Sequence, residues 1–118
     1  MAFQAKYNEI IGNGTIRAMA IIDLTSGGVV WTTNNWSIDS HAIINAWYNR
    51  VPALEVQGVR YSTLQVTENR FVCTNVRGQG HFILAKCPTN YAITAWSPSE
   101  QQLNVAYTEV AKLAATYR

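Results

Sequence analysis

Residues 70–96, RFVCTNVRGQGHFILAKCPTNYAITAW, constrain the fold more than any other part of the chain. Glycines and a proline cut this stretch into three apolar runs, 70–76, 80–87 and 91–96, separated by Arg77-Gly78-Gln79-Gly80 and Pro88-Thr89-Asn90. Glycine permits positive φ and proline holds φ near about −65°, so both breaks have a mechanical cause. Connections this short join antiparallel neighbours, because a parallel crossover needs about a dozen residues or more. In the middle strand His81, Ile83, Ala85 and Cys87 share one face, and Phe82, Leu84 and Lys86 the other. Apolar groups on both faces imply a sheet covered on both sides, with helices from elsewhere in the chain as the cover.

Such helices can be read on either side of the meander. Phe3, Tyr7, Ile10 and Ile11 recur at helical spacing until Gly12-Asn13-Gly14 stops them, giving a short helix with two aromatics on one side. Residues 16–23 read as a central strand, and Thr25-Ser26-Gly27-Gly28 turns it into a β-branched partner at 29–33. A middle helix begins near Ser37 or Asp39, either of which can accept the orphan N–H groups of a first turn. Ile43, Ile44, Trp47 and Tyr48 form its apolar side, and Val51-Pro52 ends it. Residues 56–67 read as one extended run bent at Gly58. Ser97-Pro98-Ser99-Glu100 reads as a helix start, with Ser97 as cap, Pro98 in the first turn and Glu100 reaching back. Leu103, Ala106, Tyr107, Val110, Leu113, Ala114 and Tyr117 then keep helical period. The expected class is α+β, an α/β sandwich on a central antiparallel sheet of five to seven strands, with residues 1–118 as a single domain.

Composition narrows the function. With 48% hydrophobic and 14% charged residues in 118, the chain is a folded globule whose uncharged surface is available to a partner. A net charge of +2 is too small to imply nucleic acid. Apolar runs fall short of the roughly 18 residues of a membrane span. With no secretory leader ahead of them, Cys73 and Cys87 are expected to be reduced core thiols of a cytoplasmic protein, and the sequons at Asn13 and Asn35 to be coincidental. Catalysis finds little support. His41 and His81 lack metal-ligand spacing, carboxylates are scattered, and the glycine-rich turn lacks the following helix of a dinucleotide loop. A Cys73–His81 nucleophile–base pair is the one arrangement an enzyme could use. No enzyme, cofactor or metal is expected.

The order of elements then coincides with one family. Gly14-Thr15, Ala20-Ile21-Ile22 and Val30-Trp31-Thr32 resemble the "GT…AAI" and "VWA" strands that open profilins, after a short aromatic helix. Val56-Gln57-Gly58-Val59-Arg60-Tyr61 is similar to the family's "GL…KY" segment. Arg77-Gly78-Gln79-Gly80 with Ile83 and Lys86 resembles its "KKGxGG…IKKT" hairpin, and Val110-Ala111-Lys112-Leu113 with Tyr117 its "VERLGDYL" ending. The resemblance implies N- and C-terminal helices on one sheet face and the middle helix on the other. It implies a monomeric, cytoskeleton-associated protein that binds monomeric actin through Val56, Arg60, Gln65, Arg77, Lys86 and Asn104. It also implies proline-rich segments bound at Phe3, Tyr7, Trp31 and Tyr117, and phosphoinositide lipids bound on basic surface. Phe3 stands where the family has tryptophan, Lys6 occupies the aligned place of the family tyrosine, and the later turn carries one cation, Arg77, instead of two. These departures fit a distant member with a weakened actin surface, of an archaeal lineage that has its own actin. The same layout also suits a roadblock- or longin-like scaffold that dimerises or holds a small GTPase.

Overall fold

Ten elements follow one another in the computed structural model, which describes residues 2–117: α1 (Ala2–Gly12), β1 (Ala18–Asp23), β2 (Val29–Thr32), α2 (Ser40–Tyr48), β3 (Ala53–Val56), β4 (Val59–Val66), β5 (Arg70–Thr74), β6 (His81–Lys86), β7 (Tyr91–Ser97) and α3 (Leu103–Thr116). The seven strands form one antiparallel sheet in the order β2-β1-β7-β6-β5-β4-β3. The meander is its middle. Phe82 lies between Cys73 and Trp96, and Ile83 between Val72 and Ala95.

Alternation along these strands builds two cores, one on each face. Phe82, Leu84, Phe71, Cys73 and Ile22 pack with Ile43 and Trp47 of α2. On the other face Ile83, Ala85, Ile93 and Met19 pack with Ile10 of α1 and with Ala106, Val110 and Leu113 of α3. Each large side chain fully buried here contributes roughly 1.5–3 kcal/mol through removal from water. The terminal helices therefore share one face and the middle helix takes the other, as the resemblance implied. Because α3 packs over β6 and β7, the same face of β4 and β5 is left only partly covered.

Helix ends and turns revise the sequence reading at two points and decide between its alternatives at a third. The run at 56–67 is not continuous. Val56 pairs with Val59, and Gln57 and Gly58 have φ of 50° and 79°, the double positive φ of a two-residue hairpin turn. Asp39, not Ser37, caps α2, its Oδ1 accepting from the Ala42 N–H at 3.1 Å. Ser97 does not cap α3. It ends β7, fully buried, and its hydroxyl donates to the Thr15 carbonyl at 2.7 Å. A turn closed by Gln101 N–H to the Pro98 carbonyl follows, and α3 begins only at Leu103.

Candidate functional site

Four aromatic side chains from α1, β2 and the α3 terminus meet at one end of the molecule. Helical spacing puts Phe3 and Tyr7 on the same side of α1, and β2, the edge strand, brings Trp31 against them. Phe3 lies 5.1 Å from the Tyr117 ring, and Tyr7 meets Trp31 edge-on at 5.5 Å. Phe3, Gln4, Tyr7, Ile21 and Trp31 line a hollow of about 240 Å³. Trp31 is 43% exposed, an unusual state for an indole with neighbours this close. Burial pushes the Tyr7 phenol up, and burial followed by the nearby Tyr91 and Cys87 does the same for Tyr117. The indoles of Trp47 and Trp96 donate to the Thr67 and Gln79 carbonyls, and among the described residues that of Trp31 has no such acceptor. All four aromatics singled out in the sequence are thus brought together. Tyr91, edge-on to Tyr117 at 5.3 Å, extends the cluster. Its place was readable only as the same strand face as Ile93.

A second surface lies on the uncovered part of the sheet. Leu64, Gln65, Arg70, Leu103, Asn104 and Tyr107 line a groove of about 540 Å³ between β4–β5 and the first turns of α3. A register shift between Thr63 and Gln65 makes a bulge at Leu64, so two consecutive side chains reach this groove. Beyond it, Arg60 and Arg77 share a shallower hollow. Asn75 builds that end: its Nδ2 donates to the Arg60 carbonyl at 2.8 Å, and its Oδ1 accepts from the Arg77 and Gln79 N–H groups at 2.8 and 3.1 Å.

Of the six residues the resemblance assigned to actin, Arg60, Gln65, Arg77 and Asn104 fall on this open side or its rim. Val56 is 6% exposed and packs in the α2-side core. Lys86 has the parity of Phe82 and Leu84, so it emerges on the α2 face. There its Nζ donates to the Cys87 and Thr89 carbonyls at 3.2 Å each, and it shares a pocket with Trp47, Tyr48 and Arg50. Sequence reading missed Arg70 and Tyr107 as partners: the guanidinium lies 4.3 Å from the ring centroid, and Nη1 donates to Gln65 Oε1 at 2.9 Å. Strand parity placed Arg70 on the right face, but nothing local linked it to α3.

Cys73 and His81 do not meet. Cys73 pairs with Phe82 and faces the α2 core, and burial pushes its thiol up to about 12. His81 faces the other way, held between the Thr74 hydroxyl at 2.8 Å and the Gln101 carbonyl at 3.0 Å. Cys87, likewise free and buried, is pushed up to about 11. Neither thiol has the lowered pKa of a nucleophile. No group of three or more metal-ligating side chains occurs among the described residues, and no helix among them is long and apolar enough to cross a membrane.

Comparison with known proteins agrees with this fold. The profilin family model matches residues 1–117. Odin profilin of Odinarchaeota yellowstonii is 35% identical over 102 residues, covering 86% of this chain and 85% of that protein. Thor profilin of a Thorarchaeota archaeon is 31% identical over 121 residues, covering 99% and 92%. Among solved structures, a chain of the LokiProfilin2/rabbit actin complex superposes with a TM-score of 0.80 at 25% identity, covering 94% of this chain and 91% of that one.

Proposed function

The chain belongs to the profilin family, and from that premise we propose that it binds monomeric actin and regulates its polymerisation. The observation that carries this reading is the whole-length family match, supported by a structural relative solved in complex with rabbit actin. The proposed contact surface is the open sheet side, with Arg60 and Arg77 at one end and Gln65 and Asn104 along the groove. Val56 supports that surface from within the core. Lys86 is left out of it, since strand parity sends it to the opposite face.

A second ligand is favoured by the aromatic hollow. Polyproline II is extended and already ordered, and docks on aromatic faces with an indole N–H or phenol O–H donating to its carbonyls. Phe3, Tyr7, Trp31 and Tyr117 supply the rings, and Trp31 and Tyr7 the donors. Acidic lipids are a weaker fit. Basic clusters that hold them have about four to eight cations, and the open side offers Arg60 and Arg77 with Arg70 apart from them. The proposal includes action as a cytoplasmic binding protein without catalysis, in keeping with the separation of Cys73 from His81.

The test is a polymerisation assay with rabbit actin and with the cognate actin, read as a concentration-dependent lag and reduced filament mass by sedimentation. Unchanged polymerisation of both actins at high micromolar protein would reject the actin reading.

A further inference from the structure

Resting on the actin reading above, we propose that Arg70 is the residue through which the open face selects its partner, a guanidinium held ready for an actin carboxylate with an apolar side chain beside it. Arg70 is half-buried and restrained from two directions. Tyr107 of α3 stacks on it at 4.3 Å, and Gln65 of β4 accepts from Nη1 at 2.9 Å. These contacts orient the planar fork before any partner arrives, so less side-chain freedom is lost on binding. A guanidinium has five N–H donors, and one hydrogen bond leaves most of them for a ligand.

Charge points to the ligand's sign. The ion pairs among the described residues join Lys6 to Glu9 and Glu109, Arg17 to Glu100, and Lys112 to Glu109. None reaches Arg70, and no carboxylate lines its groove. An oriented and unneutralised guanidinium in a groove recognises a carboxylate, which can take two parallel N–H bonds from the fork. The rest of the wall defines what accompanies that carboxylate. Leu64, 59% exposed at its bulge, stands with Leu103 and Val72 along the groove. An acidic side chain next to an apolar one fits this arrangement, and a second cation does not.

A purely structural Arg70, serving only to dock α3, would affect stability without affecting binding, so both are measured. Wild type, Arg70→Gln, Arg70→Lys and Lys112→Gln are titrated into fluorescently labelled monomeric rabbit actin and cognate actin at low and moderate salt, each variant's thermal midpoint being recorded. Arg70→Gln is expected to bind about tenfold or more weakly and with a shallower salt dependence, as for a desolvated anchor charge. Arg70→Lys keeps a cation over the ring but loses the fork, and is expected to lose most of the same affinity. Lys112→Gln, an exposed cation on α3 away from the groove, is expected to bind like wild type. Wild-type affinity in Arg70→Gln, or in Arg70→Lys should the glutamine variant melt early, overturns the role of Arg70 while the actin reading stands. Wild type that binds neither rabbit nor cognate actin overturns that reading, and the role of Arg70 with it.

Discussion

Gly80 shows how one residue ties the glycine-rich turn to the sheet. Its φ is +107°, and a Cβ built there would lie 2.5 Å from Nε1 and Cε2 of Trp96. The indole has little room to yield, since its N–H donates to the Gln79 carbonyl at 3.2 Å in the same turn. Gly80→Ala therefore combines backbone strain with overpacking and is expected to cost about 2–4 kcal/mol, lowering the melting temperature by roughly 10 °C or more. Gly12→Ala is the control: no atom lies within 4 Å of its Cβ position and its φ is not positive, so melting should change little. Equal melting of the two variants would show that the Trp96 contact is not limiting. The sequence identifies Gly80 as a turn residue because glycines interrupt an apolar run there. Contact with Trp96 is not readable locally, since it depends on β6 and β7 aligning Phe82 with Trp96. Lys86 illustrates the complementary case. Its face was legible from parity with Phe82 and Leu84, and the family resemblance pointed elsewhere.

Elements were legible where period and composition agreed, and obscure where a long-range contact took over a local signal. The apolar faces of α1 and α3 followed from 3.6-residue spacing, but the start of α3 did not. Ser97 has the chemistry of a cap, yet the Thr15 carbonyl, far away in sequence, claims its hydroxyl. The hairpin at Gln57-Gly58 was obscured because apolar residues continue through both of its strands. What joins the terminal helices is also non-local. Lys6 of α1 reaches Glu109 of α3 at 3.0 Å and Glu9 at 3.1 Å, while Lys112 approaches Glu109 at 3.5 Å. The hydrogen bond from Lys6, foremost, holds the Glu109 carboxyl below its ordinary value of 4.5. A depressed folded-state pKa means the native protein releases this proton more readily than the unfolded chain. The contribution is thus fully present above about pH 4.5–5 and is lost as pH falls through the folded-state value. Glu109→Gln should destabilise by about 0.5–1 kcal/mol near neutrality, allowing for solvent screening. Thermal melts from pH 3 to 7 should show the two proteins diverging as pH rises and converging at the acid end. A constant difference across that range would mean that packing, not charge, accounts for the loss.

Across the whole molecule, the two proposed surfaces are held apart by the architecture. The aromatic cluster uses α1, the β2 edge and Tyr117 at the end of α3, whereas the proposed actin groove uses β4, β5 and the start of α3. α3 has 14 residues and rises about 1.5 Å per residue, so roughly 20 Å of rigid helix separates the two along its length. In the sheet, β2 and β4 are separated by β1, β7, β6 and β5. No side chain lines both sites, and with no shared contact the expected coupling free energy is near zero. Trp31→Ala is the sharpest probe of this independence. It removes the exposed ring and its N–H from the hollow and leaves a surface side chain's worth of space, so the fold should persist. Titration with polyproline should perturb tryptophan fluorescence in wild type, and calorimetry should show binding lost in Trp31→Ala. Actin affinity should be the same for both proteins within about twofold, and saturating polyproline should leave actin binding unchanged. Loss of actin binding in Trp31→Ala, with its melting temperature intact, would show that α3 transmits between the two ends. Absence of both a fluorescence change and calorimetric heat in the wild type would reject the proline-rich site while leaving the open sheet face to be judged by actin alone.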